Sequence, residues 1–150
     1  MKESKLQKYH NRANVIRQES HDQDTQVAAL LISKASGAVI ADGFNGFVRG
    51  APDDKLPRSG DAKREFMIHA ESNMICNAVS HGISTARCTV YCTLSPCVGC
   101  LRLLYQANIK DIYFKDKYRD IDQSFGMGDI SVSIESIGEF FHIKLSGGKG

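Results

Sequence analysis

Helical and strand-like patterns of apolar residues alternate along the first part of the chain. A first helix is predicted by apolar residues spaced three or four apart, at Leu6, Tyr9, Ala13 and Ile16. Residues 27–32 are a continuous apolar run, as expected of a strand that is covered on both faces. After a turn at Ser36-Gly37, residues 38–44 predict the returning strand, and residues 45–63 collect glycine, proline and charge in a long loop. Loops of that length often carry function.

The alternation continues through the middle of the chain. Residues 70–79 have the spacing of an amphipathic helix, and Gly82 follows as a residue that can end the helix in the left-handed conformation. Residues 87–94 are rich in strand-forming side chains. The segment after Pro96 returns to helical spacing, and residues 111–114 predict a further strand.

These segments predict one α/β domain in which helices pack on a mixed sheet. Residues 130–145 have alternating stretches with weak boundaries, and residues 146–150 have the composition of a disordered tail. A chain of 150 residues can bury roughly two-thirds of its unfolded surface, which is enough for one core. We therefore assign residues 1–145 to a single domain.

Charge and cysteine content narrow the classes of function. The 19 Lys and Arg residues against 17 Asp and Glu residues give a net charge of +2, far from the broad basic surface that duplex or tRNA binding usually requires. No signal peptide and no membrane-spanning apolar run is recognisable. The five cysteines are an odd number, which disfavours a complete disulfide framework. We expect a cytoplasmic protein that acts on small molecules.

Two short motifs carry the candidate chemistry: His-Ala-Glu at residues 69–71 and Pro-Cys-Val-Gly-Cys at residues 96–100. One imidazole and two thiolates suit Zn²⁺, and three protein ligands leave the fourth tetrahedral position open, as a catalytic site requires. Positions two apart in a regular helix point about 200° from each other. His69 and Glu71 can therefore face one ion only where the chain enters its helix.

The second motif also predicts a helix start. Ser95 is a plausible N-cap and Pro96 suits the first helical position. Cys97 and Cys100 would then lie one turn apart on the same face. The positive end of the helix dipole favours thiolate over thiol at this turn.

The other cysteines are predicted to be small core residues. Cys88 and Cys92 fall on one face of the strand at residues 87–94, and Cys76 lies within the helix at residues 70–79. A structural zinc site formed by four cysteines is the alternative. The cysteine spacing argues against it, unless Cys92 reaches the metal as a fourth ligand.

Both motifs resemble those of the cytidine deaminase superfamily, over roughly residues 20–118. The loop Gly-Phe-Asn-Gly-Phe-Val-Arg-Gly at residues 43–50 is similar to the GYNGxPRG loop of deoxycytidylate (dCMP) deaminases, and shorter similarities occur at residues 24–27, 53–57 and 109–118. The chain is identified as a member of that family. The resemblance implies a three-layer fold, with a mixed five-stranded sheet and helices on both faces.

The resemblance also implies roles for particular residues. One catalytic zinc ion would be held by His69, Cys97 and Cys100. Glu71 would move protons. Substrate contacts are expected from Asn45, Ala70, Ser95, Arg49 and Tyr118. Of these, Asn45 would bond the deoxyribose or base, the backbones of Ala70 and Ser95 would hold the pyrimidine edge, and Tyr118 would lie beside the ring. Arg49 is a candidate for the phosphate, favoured by its place in the loop motif. The other candidates are Lys55, Arg58, Lys63, Arg64, Lys117 and Arg119, which the sequence does not rank.

The implied reaction is hydrolytic deamination of dCMP to dUMP and ammonia, a route to thymidylate precursors, without an organic cofactor. Family members are usually homo-oligomers, so we expect a hexamer or a smaller assembly. Activation by dCTP and inhibition by dTTP are common in the family. Departures from the family pattern at Ala28, Phe44 and Val48 leave open whether they apply here.

Three alternatives remain at this point. A tRNA or other polynucleotide deaminase would share the metal motifs, although the small net charge weighs against it. A deaminase of free cytosine nucleosides or of 5-substituted dCMP would share the whole site. A binding module that keeps the fold and a structural zinc would need no proton carrier, and the intact Glu71 argues against it.

Overall fold

The computed structural model describes residues 1–117 and 128–147. Three α-helices are present in this part of the chain: α1 (Glu3–Arg17), α2 (Ala70–Ser80) and α3 (Val98–Gln106). Six strands accompany them: β1 (Ala28–Ser33), β2 (Val39–Phe44), β3 (Cys88–Leu94), β4 (Asp111–Asp116), β5 (Ile130–Ile137) and β6 (Phe140–Gly147). A short 3₁₀ helix, Asp61–Glu65, lies in the long loop before α2. None of the helices in these ranges is long and apolar enough to cross a bilayer.

All six strands form one mixed sheet in the order β2-β1-β3-β4-β6-β5. Strands β3 and β4 are parallel, and every other neighbouring pair is antiparallel. The prediction of a mixed sheet is confirmed, but the sheet has six strands where five were predicted. The additional strand arises because residues 130–147 fold back on themselves as a hairpin, from Ile137 paired with Phe140 to Ile130 paired with Gly147.

The hairpin also shortens the predicted C-terminal tail. Ser146 and Gly147 belong to β6 and pair with Ser131 and Ile130. Serine and glycine are common in disordered tails, but here the backbone groups of both residues pair with β5. Residues 148–150 lie outside the described part of the chain.

Helices cover both faces of the sheet. Helix α1 packs on one face through Leu6, Tyr9 and Ala13, which meet Leu30 and Tyr91 of the central strands. Helices α2 and α3 pack on the other face, where the larger apolar cluster lies. This three-layer arrangement agrees with the predicted fold.

Strand β3 lies at the centre of the sheet and contributes to both apolar clusters. Cys88 and Cys92 are buried on the α2 and α3 side, as predicted. Cys76 is exposed on α2, so its predicted core role is wrong. Cys76 is two positions from Met74 and from Ala78, which form the buried stripe of α2, and so points away from it toward solvent.

Candidate active site

The candidate site lies at one edge of the sheet, where several elements begin or end together. Strand β3 ends at Leu94 and leads through a short loop into α3. Because β2 and β3 both run antiparallel to β1, the carboxyl ends of β2 and β3 meet at this edge. Helix α2 also begins there, with its first turn packed on β2. Crevices at the carboxyl ends of strands are common ligand sites in α/β sheets.

Three potential metal ligands converge at this edge: His69, Cys97 and Cys100. The Nδ1 atom of His69 lies 3.6 Å from Cys97 Sγ and 3.4 Å from Cys100 Sγ. Bonds of about 2.3 Å to sulfur and about 2.0 Å to nitrogen would place such atoms about 3.5 Å apart around a tetrahedral ion. The donor set and its spacing therefore fit Zn²⁺.

Both motifs place their first ligand at the start of a helix. His69 is the N-cap residue of α2, as its motif predicted. In the second motif, Cys97 is the N-cap of α3, and the prediction of Ser95 as N-cap with Pro96 in the first helical position is wrong. The physical reason is that Cys97 Sγ itself accepts the backbone N–H of Cys100, at 3.5 Å. A thiolate can take the role that serine or aspartate usually has at this position.

The groups around the start of α3 favour the thiolate form of Cys97. Hydrogen bonds from the Cys100 thiol and from His69 lower the pKa of Cys97 to about 3. The hydrogen bond that the Cys100 thiol donates to Cys97 raises the pKa of Cys100, and so do burial and, to a smaller extent, the repulsion between two adjacent thiolates. A divalent cation would remove that repulsion, which is why paired cysteines suit such an ion.

Among the described residues, no fourth side chain joins the three candidate metal ligands. The group of possible ligands contains no fourth cysteine, and Cys92 is not part of it. Cys92 lies beside Glu71 instead, and burial raises the pKa of its thiol well above the usual value. This arrangement disfavours the four-cysteine structural site.

Glu71 occupies the first turn of α2 and is only 4% exposed. Burial raises the pKa of its carboxyl group, while a hydrogen bond with Cys100 opposes that change. A buried carboxyl group beside an open metal position can take and give protons, which is the behaviour expected of a general acid and base.

A small cavity of about 150 Å³ is bordered by Glu71 and by the candidate metal ligands His69 and Cys97. Its walls are formed by Val27, Asn45, His69, Ala70, Glu71, Leu94, Ser95 and Cys97. Ligand sites for larger molecules usually measure roughly 300–1,000 Å³, so this volume suits a single ring. The predicted residues Asn45, Ala70 and Ser95 are thus brought next to Glu71. Val27 and Leu94 were not predicted, and their positions at strand ends beside the motifs are the signal that could have identified them.

Asn45 holds the cavity wall in place through its side-chain amide. Its Oδ1 accepts the backbone N–H of Val27 at 2.8 Å, and its Nδ2 donates to the Thr25 carbonyl at 2.9 Å and to Asp22 Oδ2 at 3.2 Å. Both amide hydrogens are therefore committed within the protein. The Asn45 side chain can offer a ligand only the remaining lone pair of Oδ1.

The other predicted substrate residues are placed differently. Arg49 does not line the small cavity; its guanidinium group donates to Asn77 Oδ1 on α2 and borders a separate cavity. The backbone N–H of Ser95 is bonded to the Asp116 carbonyl at 2.8 Å. Tyr118 lies outside the described residues.

Gly43 fixes the distance between β2 and the start of α2. A Cβ atom at this position would overlap the backbone N of Met74 and lie 2.7 Å from the Ala70 carbonyl oxygen. We expect Gly43→Ala to push the first turn of α2 away from β2, to lower the free energy of unfolding by about 1–3 kcal/mol and to reduce metal binding at His69. Denaturant unfolding and metal analysis of the purified variant measure both effects.

Gly46→Ala, three residues further along the chain, is the matched control. A Cβ atom on Gly46 would meet only the Phe44 ring, at 3.6 Å, which is ordinary van der Waals contact. Equal losses in the two variants would show that the close approach at Gly43 is not what positions α2.

Comparison with known proteins agrees with this geometry. The sequence pattern of the family described as the cytidine and deoxycytidylate deaminase zinc-binding region matches residues 3–116. Deoxycytidylate deaminases of Pongo abelii and Homo sapiens are each 35% identical over 114 residues, covering 71% of this chain and 62% of the relative. The chain thus spans about six-tenths of the length of these curated relatives.

Solved structures show the same relationship. The dCMP deaminase of cyanophage S-TIM5 in its apo form is 26% identical, with a TM-score of 0.68, and the alignment covers 84% of this chain and 95% of the other. The same enzyme in complex with dCMP and dUMP is 27% identical, with a TM-score of 0.67, covering 79% and 86%. On this evidence the chain belongs to the cytidine and deoxycytidylate deaminase zinc-binding family.

Proposed function

We propose that this protein catalyses the zinc-dependent hydrolytic deamination of dCMP to dUMP and ammonia. The observation that carries the proposal is the meeting of a three-ligand metal group and the buried Glu71 carboxyl group at one ring-sized cavity. Relatives of this chain are deoxycytidylate deaminases, and a similar structure holds dCMP and dUMP. These similarities support the choice of substrate.

His69, Cys97 and Cys100 would hold the zinc ion, since their donor atoms and spacing suit it. A bound zinc ion supplies the Lewis acidity that activates a water molecule for attack on C4 of the cytosine ring. Glu71 would take one proton from the attacking water and deliver it to N3, and would then take the remaining hydroxyl proton and deliver it to the leaving amine, so that ammonia departs as the C4 carbonyl forms. Its burial excludes bulk water from competing for these protons.

The cavity walls orient the ring. Val27 and Leu94 give the cavity apolar sides, and the first turn of α2 brings the backbone of Ala70 to its edge. Asn45 presents an acceptor, so a hydroxyl group of the sugar is the partner that its chemistry favours. Ser95, which directly follows β3, also lines the cavity.

A substrate panel tests the proposal. Ammonia release would be measured with dCMP, 5-methyl-dCMP, deoxycytidine, dCTP and a cytosine-containing RNA, using zinc-loaded protein. We expect the highest kcat/KM with dCMP. Preference for RNA would replace the proposal with a polynucleotide deaminase, and absence of turnover on every substrate, in protein with full zinc content, would favour a binding module.

Assembly, regulation and location also remain our proposals. We propose a homo-oligomer, a hexamer or smaller, in the cytoplasm, with dCTP and dTTP as candidate regulators. Sedimentation with and without each nucleotide measures the assembly and its response together.

A further inference from the structure

A second, larger cavity adjoins the ring-sized cavity and is lined in part by charged side chains. Its volume is about 400 Å³, and it shares Asn45, His69, Leu94 and Cys97 with the smaller cavity. A ligand whose ring lies beside Glu71 would therefore extend directly into this second space. For a nucleotide, the part that extends from the base is the sugar and its phosphate. The inference that follows rests on the proposed function.

Away from the shared metal-site residues, three charged side chains line this second cavity within the described ranges: Asp22, Lys63 and Arg64. Lys63 Nζ lies 2.7 Å from Asp22 Oδ1 and 2.9 Å from Asp24 Oδ2, and the Lys63 side chain is only 14% exposed. Its charge is therefore compensated inside the protein. Lys63 ties the 3₁₀ helix to the segment before β1, and it is poorly suited to bind an additional anion.

The Asp22 carboxylate has its acceptor positions filled in the same way. Its Oδ1 also accepts the backbone N–H groups of Asp24 and Thr25, at 2.8 and 3.0 Å, and its Oδ2 accepts from Asn45. With Asp22 and Lys63 paired to each other, Arg64 is the charged side chain lining this cavity, within the described ranges, that no close ion pair holds.

Arg64 differs from Lys63 because its own ion pair is weak. Arg64 Nε lies 3.6 Å from Asp61 Oδ1, and the two side chains are 71% and 96% exposed. Exposed pairs of this kind contribute little, so the guanidinium group can exchange this partner for a ligand. Its planar array of donors matches the oxygen atoms of a phosphate group in a bidentate arrangement.

Two other cations that the sequence nominated, Arg49 and Arg58, border different cavities. Arg49 is bonded to Asn77 and borders another cavity. Arg58 lines a different cavity, which shares Asp22 and Thr25 with the second cavity but does not include Arg64. We propose that Arg64 binds the 5′-phosphate of the substrate and so makes the enzyme prefer a nucleotide to a nucleoside.

The test compares Arg64→Ala, Arg64→Lys and the control Arg58→Ala on dCMP and deoxycytidine. We expect Arg64→Ala to lower kcat/KM for dCMP about ten- to a hundredfold, mainly through KM, because one charge-assisted contact to the ground state is lost. Deoxycytidine turnover and zinc content stay at the wild-type values. Arg64→Lys recovers part of the loss, and Arg58→Ala stays within about twofold of wild type for both substrates.

Binding of the product provides a measurement that does not depend on turnover. Calorimetric titration with dUMP and with deoxyuridine should show that Arg64→Ala weakens dUMP binding and leaves deoxyuridine binding unchanged. An unchanged dUMP affinity, or an unchanged ratio of dCMP to deoxycytidine turnover, would overturn the assignment of Arg64. If the wild-type protein deaminates neither substrate, the proposed function fails, and the dUMP titration still decides the role of Arg64.

Discussion

Replacing Glu71 with glutamine will leave the zinc content of the protein unchanged and remove nearly all turnover of dCMP. The amide has almost the size of the carboxyl group, so the first turn of α2 and the ligand His69 keep their positions. An amide cannot take a proton from water or deliver one to the ring. Loss of general acid and base catalysis lowers rates by about 10²–10⁴-fold.

The measurement is ammonia release at saturating dCMP, with zinc determined on the same sample. Glu135→Gln is the control, because Glu135 is an exposed residue on the edge strand β5 and the same charge is lost. Wild-type turnover in Glu71→Gln would remove this residue from the mechanism. Equal losses in both variants would indicate a general effect of charge.

Cys97→Ala is expected to reduce bound zinc well below one ion per chain and to abolish activity with it. The substitution removes one of three protein ligands, and it also removes the sulfur that caps α3. Two remaining ligands give a much weaker site, since each ligand bond contributes to affinity. Metal analysis after gel filtration measures the loss.

Cys76→Ala is the matched control for this experiment. Cys76 is exposed on α2 and is not part of the metal group, so its loss should change neither zinc content nor turnover. Retention of full zinc by Cys97→Ala would contradict the ligand assignment. Loss of zinc from Cys76→Ala would show that metal binding depends on cysteine content and not on this site.

The grouping of the candidate ligands could be predicted from sequence because each motif is local. His69 and Glu71 lie two residues apart, and that spacing can serve one ion only at a helix start, which is where the structure has them. The second motif was located correctly, but its helix begins later than predicted. The difference arises because Cys97 takes the capping role, and propensity scales assign that role to serine.

Features that depend on contacts between distant segments could not be predicted in the same way. The role of Arg49 was inferred from a loop resemblance, yet the side chain turns toward Asn77 on α2. The difference between Lys63 and Arg64 depends on Asp22 and Asp24, about forty positions earlier in the chain. Neighbouring basic residues look alike in a sequence, and only the folded chain shows which one is already neutralised.

The C-terminal hairpin of β5 and β6 also depends on contacts that the sequence does not reveal. Residues 130–147 have an alternating pattern whose ends are unclear, because polar side chains on the outer face of a hairpin resemble those of a loop. The pairing of β5 with β6 defines both strands in the structure. The sequence therefore underestimated the sheet by one strand without changing the position of the site.

Zinc-dependent deamination of dCMP is the central claim, and reversible removal of the metal tests it most directly. Ammonia release from dCMP would be measured on one preparation before chelation, after chelation and after zinc is restored. The account predicts that activity disappears with the metal and returns with it in proportion to zinc bound at His69, Cys97 and Cys100. Undiminished release of ammonia from protein shown to contain no metal would contradict it.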